Sequence, residues 1–236
     1  MLPKIVPLSR KIHLPIEDKD VKVYAYTLSE EKLLLLNKEE NALAIENVLL
    51  DIIQAKTDWN DVKSLTMVDI IFMLLNIIDI SKGLSKDLSY KCTTKNNNNE
   101  RCNNIINVNV DMNDYKIHNP NNNHKLVKVN DSIACELIYP SYYTIEYLQQ
   151  FKDEGEYTIR LYSKLISAVY HNDDVITDFT DDEIYEWVLN LPINVLDDFR
   201  TFVSDIPTIT LEYEVKCDKC GNTQKFITSN ILDFFI

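Results

Sequence analysis

The stretch TITLEYEVKCDKCGNTQKFIT, residues 208–228, decides how the chain is read. From Thr208 to Lys216 the residues alternate as in a half-buried strand, Cys217 to Gly221 turns, and Gln224 to Thr228 returns. Inside the turn two thiols stand three residues apart and a glycine follows, which is the spacing of a zinc knuckle. Both thiolates can reach one tetrahedral metal while the glycine lets the backbone turn beneath it. A thioredoxin-type Cys-x-x-Cys opens a helix after a strand, whereas strand-like sequence flanks this one on both sides. Two more ligands are needed. Cys92 and Cys102 sit at the ends of another strand-loop-strand stretch, with nine residues between them instead of the usual two to four. The polar filler Thr93 to Arg101 can loop out and leave these two thiols adjacent.

Cys92, Cys102, Cys217 and Cys220 are therefore the expected ligands of a structural Zn2+, a closed set that leaves no position for a catalytic water. Two other readings of the same thiols stay open, reduced cysteines without metal and a redox disulfide, and His118 or His124 can stand in for one cysteine. Cys135, within the apolar run Ile133 to Ile138, reads as a small buried hydrophobe.

Outward from residues 208–228 the helical period dominates. Leu196, Phe199, Val203 and Ile206 share one helix face up to Pro207. Before them Thr180 and Glu183 form a capping box that opens a helix carrying Ile184, Trp187, Val188 and Leu191, ended by Pro192. Tyr142 to Phe151 and Tyr157 to Tyr170 also read as helices. Leu88 to Thr93, Ile105 to Asp111, Leu126 to Val129 and Ile133 to Tyr139 read as strands between asparagine-rich turns, and Asn96 to Asn99 and Asn121 to Asn123 as loop tips. Toward the N-terminus, Thr66 to Ser81 is apolar on nearly every side and should be a central buried helix closed by Lys82 and Gly83. Thr27 with Glu30 starts a helix to about Lys38, Ala42 to Lys56 is a second, and Lys11 to Leu14 and Val21 to Tyr26 are short strands.

The fold class is thus α+β, mainly helical with a small antiparallel β part that carries a zinc-ribbon-like four-cysteine site. Four segments follow: 1–85, an N-terminal β-hairpin plus helices; 86–138, an asparagine-rich β insertion with the first cysteine pair; 139–207, an acidic helical region; and 208–236, the knuckle hairpin with an apolar tail. They are expected to form one compact unit.

Composition narrows the function. Three glycines in 236 residues leave no material for a phosphate-cradling loop, and the histidines His13, His118, His124 and His171 fall in no metalloprotease or nucleophile motif, so no active site is expected. The best membrane candidate, Met67 to Ile80, is 14 residues long with Asp69, Asn76 and Asp79 inside it, against the roughly 20 apolar residues a span needs. No signal peptide is read at the start, so a soluble intracellular protein is expected. The formal net charge of -13 divides into -3 for residues 1–85, +3 for 86–130 and -13 for 131–236. Asp173 to Asp205 alone holds ten carboxylates and one arginine. This is either a solvated face or a docking surface for a basic partner, with Asp181, Asp182, Glu186, Asp197 and Asp198 as its candidate residues.

The order of these features resembles the T4-type bacteriophage base plate protein family. The resemblance is carried by Leu14-Pro15, by Val23-Tyr24-Ala25-Tyr26-Thr27-Leu28-Ser29-Glu30-Glu31-Lys32, and by Leu65-Thr66-Met67-Val68-Asp69 leading through Phe72-Met73-Leu74-Leu75 to Ser81-Lys82-Gly83. Tyr139-Pro140, Leu191-Pro192 and the closing Cys-x-x-Cys continue it. The resemblance implies a non-enzymatic baseplate hub subunit or hub assembly chaperone. Its partners would be hub or tape-measure proteins, met in the host cytoplasm during assembly or in the virion baseplate. The alternative is a zinc-ribbon nucleic-acid-binding module, for which the seven basic groups of residues 86–130 are diluted by asparagine. Nucleic acid is the less expected partner.

Overall fold

The computed structural model describes residues 3, 5–37, 42–95, 99–120 and 123–229. In chain order these form β1 (Ser9–His13), β2 (Asp20–Tyr24), α1 (Leu28–Asn37), α2 (Ala42–Ala55), α3 (Met67–Lys82), β3 (Lys86–Lys91), β4 (Ile105–Val110), β5 (Tyr115–His118), β6 (His124–Lys128), β7 (Ile133–Ile138), α4 (Tyr142–Leu148), α5 (Glu154–Leu165), β8 (Ile166–His171), β9 (Asp174–Ile176), α6 (Asp181–Leu189), α7 (Leu196–Ser204), β10 (Thr208–Lys216) and β11 (Thr223–Thr228). The fold is α+β, and among the described residues the strands pair antiparallel in four small sheets. Contacts group the chain into two units, each discontinuous in sequence. The first comprises residues up to Val62, Ile70–His118 and the chain from Thr208 onward; the second comprises Lys63–Asp69 and Asn119–Pro207. The segment 86–138 is divided between them at His118.

In the first unit, β1 and β2 form a hairpin whose alternation buries Ile12, Val21 and Val23. Asp18 in its turn takes φ of 56°, a left-handed conformation that aspartate tolerates better than most residues. The Lys22 amide donates to Asp58 Oδ1 at 2.8 Å, tying the hairpin to the end of α2. Glu30 reaches back to accept from the Thr27 amide at 2.6 Å and pairs with Lys56 at 2.9 Å. From Ile70 on, most of α3 is buried, as its largely apolar surface requires: Ile70, Met73, Leu74, Leu75, Ile77 and Ile78 are buried, and Ile71 and Phe72 are half-buried. Its one buried amide, Asn76, donates to the Phe72 carbonyl at 2.9 Å. Gly83, at φ of 79°, closes the helix by donating its amide to the Asp79 carbonyl.

Two hairpins complete this unit. In β3–β4 the residues Leu88, Tyr90, Ile106 and Val108 share one face and are half-buried. On the other face Asn109 donates to Asp87 at 2.7 Å, and Ser89 donates to Asn107 at 2.8 Å. The strand asparagines therefore form a cross-strand polar ladder, while Asn107 and Asn109 leave the apolar register intact. The second hairpin, β10–β11, is extended by β5 on the other edge of β10. Phe226 joins the hairpins, edge-on to Tyr90 at 4.6 Å and stacked on Tyr213 at 5.2 Å. The Tyr90 hydroxyl also donates to Gln224.

The second unit pairs a four-stranded sheet, in the order β6-β7-β8-β9, with α4 to α7. Val127, Cys135, Leu137 and Ala168 are buried in this sheet, and Tyr162 and Phe199 bring α5 and α7 together with ring centroids 5.1 Å apart. The capping box at Thr180 is present in both directions. One expectation is corrected: the helix read over Tyr157 to Tyr170 ends at Leu165, and Ile166–His171 is the strand β8. The β-branched Ile166 and Val169 gain a place between β7 and β9 that outweighs continuation of the helix. α4 likewise stops at Leu148 instead of Phe151, and β5 and β9 are additional strands. The apolar tail 231–236 and parts of both asparagine tracts lie outside the described residues.

Candidate metal centre

The turns of two hairpins build the site. Between β10 and β11 the Cys217 amide donates to the Asn222 carbonyl at 2.8 Å, and the Gly221 amide to the Cys217 carbonyl at 2.7 Å. Gly221 takes φ of 71° with nothing within 4 Å of an added Cβ, so the backbone conformation is what calls for glycine here. No helix starts at this Cys-x-x-Cys; it is a hairpin turn, as the flanking alternation predicts. Between β3 and β4 the filler loops out. Cys92 and Asn104 are tied by an amide-carbonyl bond of 2.8 Å, the Cys102 amide donates to the Thr94 carbonyl, and Lys95 bridges Arg101. Cys92 and Cys102 thereby come side by side despite the nine residues that separate them.

The sulfurs of Cys92, Cys102, Cys217 and Cys220 all lie within 4.8 Å of one another. Cys92 Sγ is 3.7 Å from Cys220 Sγ, and Cys102 Sγ is 3.7 Å from Cys217 Sγ. Four sulfurs at about 2.3 Å from a tetrahedral zinc would be about 3.8 Å apart, so the donor set fits that ion in type, number and spacing. The same 3.7 Å is well beyond the roughly 2.05 Å of a bonded disulfide, and all five cysteines are free thiols. The four can thus hold a metal ion.

Hydrogen bonds prepare the sulfurs for negative charge. The Cys220 amide holds the Cys217 thiol well below its ordinary range, at about 6, against the opposing effect of burial and with help from the Cys220 thiol, the Lys219 amide and Cys102. Asn104 Nδ2 adds a donor to the same sulfur at 3.6 Å. At Cys220 the Asn222 amide also favours the thiolate, but burial and the thiols of Cys217, Cys92 and Cys102 outweigh it and push the group up to about 11. The opposite shifts express one fact: adjacent thiols resist multiple ionisation until a cation joins them.

The remaining candidates lie elsewhere. His118 contacts Thr210 at 2.9 Å and Glu212 at 2.8 Å, and His124 contacts Glu136 at 3.1 Å, so neither histidine belongs to the thiol cluster. Cys135 is buried in β7, and burial pushes its thiol up to about 12. Asp181, Asp182 and Glu186 are exposed on α6, and Asp197 and Asp198 on α7. Four of these carboxylates are paired within the chain: Asp181 with Lys164, Asp182 with Arg160 at 4.0 Å, Asp197 with Arg200 and Asp198 with Lys125. Asn104 and the amides of Lys219 and Cys220 are site groups that sequence reasoning missed. The amides are implicit in a Cys-x-x-Cys-Gly turn, whereas Asn104 is masked by the asparagine bias around it.

Two hairpins clasped at a four-thiol cluster, set in an α+β chain with a predominantly apolar helix, define a zinc-ribbon-like structural class in which the thiols close one end of the β part. The chain belongs to the T4 bacteriophage base plate protein family, whose model matches residues 6–236. Neither the curated proteins nor the solved structures gave a match. No helix among the described residues is long and apolar enough to cross a membrane.

Proposed function

We propose that this chain is a non-enzymatic assembly protein of the tail baseplate hub, either a hub subunit or a chaperone for hub components, and that Cys92, Cys102, Cys217 and Cys220 hold a structural Zn2+. The observation that carries the assembly role is the family match over nearly the whole chain. The protein acts by contacts with hub or tape-measure proteins in the host cytoplasm, with the acidic α6 and α7 surface as one contact face. A non-enzymatic role is supported by the ligand set, since four thiolates saturate a tetrahedral ion and leave no position at which it could activate water. The metal links two hairpins that are also joined by the Tyr90–Phe226 ring contact and by hydrogen bonds from Tyr90 to Gln224 and from Asn104 to Cys217. Its binding free energy becomes folding free energy for this part of the chain.

Affinity capture from infected cells tests the assembly role, with recovery of a hub or tape-measure protein as the expected result. A capture containing neither would overturn it. Recovery of nucleic acid with a steep salt dependence would favour the ribbon module instead.

A further inference from the structure

The second unit contains a cleft that the thiol cluster does not use. α5, α6 and the start of α7 leave an apolar pocket of about 180 Å3. Tyr162, Val188, Val195 and Phe199, all buried, form its floor. A wider cleft of about 750 Å3 shares the walls Ile159 and Leu196 and reaches the first turn of α5. Leu189 and Ile193 line the apolar pocket while remaining 48% and 81% exposed. An apolar cavity of roughly 150 Å3 accepts a benzene ring, so this pocket has room for one leucine or phenylalanine side chain.

The charge around the cleft is one-sided. Residues 150–205 carry thirteen carboxylates against Lys152, Arg160, Lys164 and Arg200. Three of those cations are engaged internally: Arg160 lies 2.8 Å from Glu156 and 3.8 Å from the Tyr185 ring centroid, Lys164 is 2.7 Å from Asp181, and Arg200 is 3.5 Å from Asp197. On the wall of the wider cleft itself three carboxylates, Asp153, Glu154 and Glu156, stand against one cation, Arg200. A second copy of this chain would bring the same negative field against it, and an anionic membrane would be repelled likewise.

We infer that this cleft is the docking groove for a cationic amphipathic helix of a partner protein. One leucine-like anchor enters the apolar pocket between Leu189 and Ile193, its neighbours at three- and four-residue spacing follow the wider cleft, and lysine or arginine flanks face the acidic walls. The inference rests on the assembly reading, since it specifies the kind of segment that the partner presents.

The test uses the full chain and two labelled peptides of about 18 residues, one alternating leucine and lysine at helical spacing, the other with glutamate replacing lysine. Fluorescence anisotropy should show binding of the Leu/Lys peptide that weakens severalfold with added salt, and none of the Leu/Glu peptide. The double variant Leu189→Asp, Ile193→Asp should bind the Leu/Lys peptide at least tenfold more weakly. An unchanged circular dichroism melt would show that the variant is folded, as expected for two exposed side chains. Equal binding by wild type and variant, or by both peptides, overturns the groove. Recovery of a hub protein alongside absent peptide binding discards the groove and keeps the assembly role; peptide binding without hub recovery does the reverse.

Discussion

A thiol's reactivity depends on its access to solvent and on the ease with which it ionises, and Cys135, Cys217 and Cys220 differ sharply in these respects. Cys217 has its thiolate favoured by backbone amides, Cys220 is exposed, and Cys135 is buried with its thiol pushed up to about 12. With zinc bound, a disulfide-exchange reagent should react slowly with all of them. After chelation Cys92, Cys102, Cys217 and Cys220 should react, while Cys135 waits for unfolding; early labelling of Cys135, read by mass spectrometry, would contradict the assigned environments. Cys217→Ser should lose bound metal and lower Tm by about 10 °C or more, since it removes a ligand and the shared charge with it. A metal analysis finding no zinc in the freshly purified wild type would end the zinc assignment. His13 offers a separate residue-scale check. Asp20 and Asp18 accept from its ring at 2.9 and 2.8 Å and raise it above the ordinary histidine range. The stabilisation from its charged form is complete below about pH 6.5 and is lost as the pH rises through the raised folded value. Asp20→Asn should shift the His13 titration, followed by NMR, toward lower pH.

At the element scale, local signals were legible where one residue pattern admits one structure. α3 is apolar on nearly every side and is accordingly mostly buried, and its stop at Lys82–Gly83 is written in a basic last turn followed by a left-handed glycine. Gly83→Ala meets no neighbour within 4 Å, so its cost is purely conformational, about 1 kcal/mol by urea denaturation. Leu75→Ala opens a cavity at a fully buried position and should cost about 3 kcal/mol in the same assay. The strand β8 was not legible. Ile166 to Tyr170 follows a sound helical sequence without a breaker, and only pairing with β7, thirty residues earlier, selects the extended form. β4, by contrast, was legible despite the asparagine bias: Ile105 to Asp111 reads as a strand, and Asn107 and Asn109 occupy one face of its regular alternation. Propensity cannot report a partner strand, whereas a polar residue that keeps the period does not conceal it.

For the molecule as a whole, the four-thiol site joins residues 115 and 128 positions apart in sequence, so its halves are unequally legible. Cys217 and Cys220 are recognisable by local spacing, whereas Cys92 and Cys102 become neighbours only once their polar filler is looped out behind the Lys95 and Arg101 bridge. The cluster lies wholly within the first unit, and so do the hairpins it joins. The second unit has its own buried sheet and helices, with Cys135, Leu137, Leu148 and Leu165 excluded from solvent. Removing the metal should therefore loosen the molecule unevenly. Under a zinc chelator, amide exchange should rise by at least tenfold in β3, β4, β10 and β11, whose mutual packing loses its metal clasp. β7 and β8, held by their own register and core, should keep their protection. Readdition of zinc should restore the first set. Equal acceleration in both units would mean that the metal governs the fold globally, and no acceleration in the hairpins would mean that their aromatic packing alone suffices.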